Sequence, residues 1–227
     1  MAAAKVFTCE ANIAAGKSTL LSMLEELKLD KEHVVIYEQV SDWVSLIDPE
    51  TRKSIFDLFY EDKKRYAYVF QTYVLMSRAS HLKETLEKHK GKIIICERSI
   101  FTDYEIFAKS LHDSRDIGEM EFEVYKRWHS LVQDMFKQQI TGQIYLRTSP
   151  QTCIERVAKR NRQSEDLIDI KYLEQLHKKH EEWMMGNDNE ANVLPTLVVD
   201  GNQDLVSVKE NRDRVLHSVA TFINNLV

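Results

Sequence analysis

Five short apolar runs, each rich in β-branched residues and each separated from the next by a long amphipathic stretch, constrain this chain more than any other feature. They fall at residues 5–9, 33–37, 92–96, 143–147 and 196–199. Strands that are apolar on both faces need helices on both sides, which points to a parallel sheet in an α/β fold. Helical periodicity occupies the intervals near residues 17–27, 52–60, 63–89, 100–111, 119–139, 150–160, 170–185 and 207–225. Ser149-Pro150 marks one helix start, a capping hydroxyl followed by a proline whose missing N–H is no loss in the first turn. With 227 residues, 43% of them hydrophobic, and no linker-like tract, a single domain over residues 1–227 is expected.

The formal net charge of −5 argues against a general nucleic-acid binder, which needs a basic face. Cys9, Cys96 and Cys153 are widely spaced, and two of them end strand-like runs. They read as reduced, buried thiols. No apolar run approaches the ~18 residues that span a bilayer, so no membrane partner is expected. The first strand begins near Lys5, which leaves little room for a presequence. A cytoplasmic location is therefore expected, a mitochondrial one only if a presequence has been removed.

In such sheets ligands bind outside the carboxyl ends of the strands, so the residues after each strand are the candidates for chemistry. After the first comes Ala11-Asn12-Ile13-Ala14-Ala15-Gly16-Lys17-Ser18-Thr19, in the strand-loop-helix setting of a phosphate-binding loop. Backbone N–H groups and the positive end of the following helix converge on phosphate oxygens, Lys17 reaches the outer phosphates, and the Ser18 hydroxyl suits Mg²⁺. Ala11 stands where the loop template has glycine. After the second and third strands come Glu38 and Glu97-Arg98-Ser99, and after the fifth Asp200. One carboxylate at such a cleft can organise a metal while the other accepts a proton from an attacking hydroxyl. Arg156, Arg160 and Arg162 end a helix and are spaced to close over a triphosphate. Taken singly, each of these has a plainer alternative: a solvated strand-end acid, or a basic helix terminus favoured by the dipole.

Together, the loop from Asn12 to Thr19, Glu97-Arg98-Ser99, Phe59-Tyr60-Glu61, Phe70-Gln71-Thr72-Tyr73 and the Arg156/Arg160/Arg162 set resemble the deoxynucleoside kinase family, which includes deoxycytidine kinase, deoxyguanosine kinase and the insect multisubstrate kinase. The resemblance runs over nearly the whole chain, in order and at family spacing. It implies a homodimeric P-loop kinase with a five-stranded parallel sheet flanked by helices and an arginine-rich lid. Such an enzyme uses ATP and Mg²⁺ to phosphorylate the 5′-hydroxyl of deoxynucleosides, salvaging DNA precursors.

By the same resemblance, Glu38 is the general base and Arg98 positions the hydroxyl and the incoming phosphoryl group. ATP is held by Asn12, Ala14, Ala15, Gly16, Lys17, Ser18 and Thr19, with Arg156, Arg160, Arg162 and Asp200; Ser18 and Glu97 serve the metal. Tyr60 and Glu165 match the pair that bonds the 3′-hydroxyl. Gln71 reads the base edge, Phe70 and Phe107 sandwich the base, and Ile13, Val40, Trp43 and Phe56 line the pocket. Gln71, Val74 and Arg78 lie on one helical face by spacing. In the family, an Arg and an Asp at the positions of Arg78 and Asp103 go with deoxycytidine and purine deoxynucleosides. Val74 matches the thymidine-accepting branch, and Glu105 stands where an uncharged or aromatic residue is usual. The expectation is purine deoxynucleosides and deoxycytidine, with thymidine poor. Two other readings remain: a nucleoside monophosphate kinase, and a non-catalytic nucleotide-binding module motivated by Ala11.

Overall fold

The computed structural model describes residues 4–160, 168–186 and 194–227. Five strands, β1 (Lys5–Glu10), β2 (His33–Ile36), β3 (Ile93–Glu97), β4 (Ile140–Arg147) and β5 (Thr196–Asp200), form one parallel sheet in the order β2-β3-β1-β4-β5. β1 is central and apolar on both sides. Phe7 and Cys9 join a core with the helix α1 (Lys17–Glu25) and with α10 (Lys209–Asn224), while Val6 joins another with α4 (Lys63–Lys88) and α7 (Glu119–Phe136). The edge strands β2 and β5 are only partly covered, so the two-faced burial expected of every strand holds at the centre of the sheet and lapses at its rims.

Local chemistry sets the helix starts. Ser54 caps α3 (Ile55–Glu61) by accepting from the Asp57 N–H, and Asp62 caps α4 by accepting from the Arg65 N–H. The helix expected from residue 52 thus begins at Ile55, and Arg52 is instead left-handed, with φ 61°. β4 begins three residues earlier than its apolar run suggests, at Ile140. α2 (Val40–Ser45), α8 (Pro150–Arg160) and α9 (Ile170–Met185) complete the layers, and α2 was too short to register as a periodic pattern.

The helix expected over 100–111 is not continuous. It runs as α5 (Ile100–Thr102), a π-helical stretch at Asp103–Ala108 and α6 (Lys109–Asp113), and the Lys109 N–H bonds the Tyr104 carbonyl five residues back. α7 braces the widened turn from behind. His129 Nε2 lies 3.0 Å from the Ile100 carbonyl, and the His129 ring stacks on Tyr104 at 4.9 Å. π turns are frequent at functional sites, and this one carries Asp103 and Phe107 to the carboxyl edge of the sheet.

Candidate active site

β1 runs straight into the phosphate-binding loop. Gly16 caps α1 in the left-handed region at φ 104°, where an L side chain is strained, and a Cβ there would also meet the Arg156 guanidinium at 3.4 Å. Ala14 is left-handed too, at φ 56°, whereas Ala11 is fully buried and not left-handed. The position without its template glycine therefore does not need one, and the strain sits three residues later. Two opposite outcomes are expected in thermal melts. Ala11→Gly destabilises by about 0.4–1 kcal/mol by freeing the unfolded chain. Ala14→Gly, by contrast, relieves about 1 kcal/mol or more of left-handed strain.

Lys17 is buried and folds back on the loop, its Nζ 3.1 Å from the Asn12 carbonyl and 3.5 Å from that of Ala11. Burial pulls its pKa down to about 8, reinforced by Arg98 and opposed by Glu97 and Glu38. Beside it the Ser18 hydroxyl donates to Glu97 Oε1 at 3.1 Å, and Glu97 Oε2 faces the Glu38 backbone N–H at 3.4 Å. Arg156, from α8, donates to the Ala15 carbonyl at 2.6 Å, so the first lid arginine rests on the loop.

Glu38 and two arginines meet at the ends of β2 and β3. Arg98 Nε and Arg78 Nη2 each lie 3.1 Å from Glu38 Oε1. Arg98 is left-handed at φ 65°, a strain found where surrounding structure over-determines a functional residue. Burial raises the Glu38 pKa, but Arg98, Arg78 and Lys17 outweigh it and hold the carboxyl at about 2. Arg78 also grips Asp103 through Nε at 3.0 Å and Nη2 at 3.1 Å, and the Glu97 carbonyl through Nη1 at 3.1 Å. Asp103 is fully buried, which pushes its pKa up to about 6 against the pull of Arg78.

These groups border a cavity of about 920 Å³. One end is the loop from Ile13 to Thr19 with Arg156; the other is an aromatic chamber containing Val40, Trp43, Phe56, Tyr60, Phe70 and Phe107. Phe70 is fixed by stacking on Phe59 at 4.5 Å and by an edge contact with Trp43 at 5.7 Å, while the Arg98 guanidinium lies 5.0 Å over the Phe107 ring. Gln71, Val74, Arg78 and Asp103 form the chamber floor. Gln71 is 3% exposed, and its buried Oε1 has no hydrogen-bond partner among the described residues.

Two expected residues are not in this cavity. The Asn12 side chain turns inward, donating to the Leu173 carbonyl at 2.8 Å and accepting from the Ile13 N–H, so it braces the loop against α9. Asp200 accepts from the Asn202 backbone and side chain and from Gln203, folding the β5–α10 loop instead of lining the site. The residues that do line it there are Gly201 to Val206, with Thr152, Glu155 and Lys159 opposite. Their signal was the polar turn Asn202-Gln203-Asp204 directly after a strand end. Gly201 is required by close approach, since a Cβ would stand 2.0 Å from Thr148 Oγ1. Glu105 does not line the cavity and pairs with Lys109 one turn on. Arg162 and Glu165 lie outside the described residues, as does the Arg160 side chain.

Residues 7–224 match the sequence model of the deoxynucleoside kinase family. The chain belongs to that family. A probable deoxycytidine kinase of fowlpox virus is 34% identical over 222 residues, covering 98% of this chain and 89% of that one. Deoxycytidine kinase 2 of Gallus gallus is 35% identical over 238 residues, 95% of this chain and 89% of its own. The mitochondrial deoxyguanosine kinase of Xenopus laevis is 30% identical over 242 residues, 98% and 91% respectively. This protein is accordingly a deoxynucleoside kinase, and no helix among its described residues is long and apolar enough to cross a membrane.

Proposed function

We propose that this deoxynucleoside kinase transfers the γ-phosphoryl group of ATP to the 5′-hydroxyl of purine deoxynucleosides and deoxycytidine in preference to thymidine, a salvage step for DNA precursors. The observation that carries this reading is one cavity with a phosphate-binding loop at one end, an aromatic chamber with Gln71 at the other, and the partly buried Glu38 carboxylate also lining it. An amide such as that of Gln71 can pair with the edge of any of the four bases, so the exclusion of thymidine is assigned to Arg78 and Asp103, which occupy the space that a 5-methyl group would need.

The loop N–H groups and Lys17 cradle the triphosphate, while Arg156, with Arg160 and Arg162, covers it. Ser18 Oγ and Glu97, 3.1 Å apart, present the hard oxygen donors that Mg²⁺ takes alongside phosphate oxygens, so the residues fit that ion. When bound, Mg²⁺ offsets charge on the phosphates. Glu38 accepts a hydrogen bond from the 5′-hydroxyl and takes its proton as the bond to phosphorus forms. A carboxylate held this low is a weak base, which suffices for a loose transition state in which positioning dominates. Arg98 faces both Glu38 and the phosphate loop, where negative charge accumulates during transfer.

A monophosphate acceptor would need free cations in the chamber, and Arg78 and Arg98 are spent there on Glu38, Asp103 and backbone carbonyls. Incubation of the four natural deoxynucleosides with ATP and Mg²⁺ tests the reading; Lys17→Ala abolishes turnover while the fold is kept. Binding of ATP with no conversion of any deoxynucleoside would instead favour a binding module. Lys17 is charged below its pKa of about 8 and neutral above it. In the free enzyme, kcat/KM for ATP therefore falls as pH rises through about 8, and Lys17→Arg removes that limb of the profile.

Homodimer formation is supported by an exposed apolar stripe, Met120, Val124, Trp128, Leu131 and Met135 on α7 beside Val69 and Met76 on α4. Trp128→Glu should give monomers in sedimentation. Three free, buried cysteines support a reducing compartment, which we take to be the cytoplasm.

A further inference from the structure

Glu10, the last residue of β1, is fully buried, yet its carboxylate has no cation within ion-pair distance among the described residues. Its Oε2 accepts from the Thr102 hydroxyl, and its Oε1 has no hydrogen-bond partner among the described residues. A buried carboxylate so poorly compensated is costly, and an apolar residue of similar size would be the cheaper filling for that space. What the position gains lies in its neighbours. The Arg98 N–H bonds the Cys9 carbonyl at 3.0 Å, and Arg98 Nη1 bonds the Ala11 carbonyl at 2.6 Å. Three consecutive residues, the last two of β1 and the first of the loop, thus grip the segment after β3: Cys9 and Ala11 hold Arg98 itself, and Glu10 holds Thr102.

Thr102 in turn closes a capping box. Its Oγ1 accepts from the Ser99 N–H at 3.3 Å, and Ser99 Oγ accepts from the N–H groups of Phe101 and Thr102. With the Thr102 proton committed to Glu10, its oxygen is oriented toward Ser99. The residue immediately before this box is Arg98, at φ 65°. Nothing intrinsic to arginine favours that conformation, so it must be imposed from both sides.

We propose that Glu10 is a positioning residue: through Thr102 and Ser99 it holds Arg98 in its left-handed conformation, with the guanidinium on Glu38 and above the phosphate loop. The inference rests on the proposed role of Arg98 in transfer. Ground-state binding relies on the loop and on the aromatic chamber, which Glu10 does not touch, so its loss acts on the chemical step.

The test measures kcat, both KM values and melting temperature for Glu10→Met, Glu10→Gln, Thr102→Val, the double variant Glu10→Met/Thr102→Val, and Arg98→Lys. A displacement of about 1 Å at a reacting group costs up to ~10²-fold, so Glu10→Met is expected to lower kcat at least ~10-fold with both KM values within about threefold of wild type. Its melting temperature should not fall in step, because a buried polar group with an unpartnered oxygen has been replaced by an apolar side chain. Glu10→Gln should recover most of kcat, since the amide oxygen still accepts from Thr102. Thr102→Val should match Glu10→Met, and the double variant should be no slower than either. The proposal is overturned if Glu10→Met keeps kcat within about threefold, if glutamine fails to restore it, if the losses add, or if kcat merely follows melting temperature. Arg98→Lys separates the two ideas. Should it stay as fast as wild type, the role given to Arg98 fails and the clamp falls with it; should it alone be slow, only the clamp fails.

Discussion

Glu38→Gln is expected to lower kcat by about 10²–10⁴-fold while KM for the deoxynucleoside changes little. The amide is isosteric and still accepts a hydrogen bond, so it orients the 5′-hydroxyl but cannot take its proton. It also removes the charge that Arg78 and Arg98 share at 3.1 Å. Melting curves separate the two effects, because a variant that folds normally and binds nucleoside normally has lost only chemistry. A rate within a few-fold of wild type would move the base elsewhere. The same geometry carries a pH signature. Since the arginines and Lys17 hold Glu38 at about 2, it stays ionised through the ordinary carboxylate range. No acid limb near pH 4.5 should therefore come from Glu38 while the enzyme stays folded.

The second large effect concerns Arg78 and Asp103. Removing Arg78 alone strands the fully buried Asp103 and costs about 3–5 kcal/mol, so the informative variant is Arg78→Met with Asp103→Ala. Opening space for the thymine methyl while deleting polar groups should shift the kcat/KM ratio of thymidine to deoxyadenosine by at least about 10²-fold. The structure adds an expectation that the residue types alone did not carry. Arg78 spends Nη2 on Glu38 as well as on Asp103, so kcat should fall for every substrate, and specificity must be read from the ratio. Retention of the purine preference would leave discrimination to Gln71 and the backbone, with the pair serving to join α4 to the π turn.

Much of this was legible in the chain. The five apolar runs predict five parallel strands because strand burial on both faces is a local compositional demand, and all five are present. The loop from Ile13 to Thr19, Glu38 and Arg98 were readable because chemistry at strand ends needs particular residue types, while Gln71, inside α4, was reached only through the family resemblance; all of them line one cavity. Asn12 and Asp200 do not line that cavity, for a common reason. Each has the right type at a strand end, but which way a short polar side chain turns depends on the nearest unmet backbone group, here the Leu173 carbonyl and the Asn202 N–H.

What the sequence by itself determined, then, is the kind of sheet, the side on which ligands bind and most of the groups that can do chemistry, since these follow from periodicity and residue type. Tertiary structure alone decided the conformations and pairings that need distant partners. Ala11 is free of strain and Ala14 is not, because the path of the loop is imposed by its packing. The helix after β3 widens into a π turn where α7 packs behind it, through a bond and a stack from His129. Arg78 divides itself among Glu38, Glu97 and Asp103 because α4 passes beneath two strand ends at once. Nothing local sets Glu10 apart until Thr102, 92 residues away, is seen against it. Contacts of that separation leave no periodic trace in sequence, for they are set by how the layers stack and not by local preference.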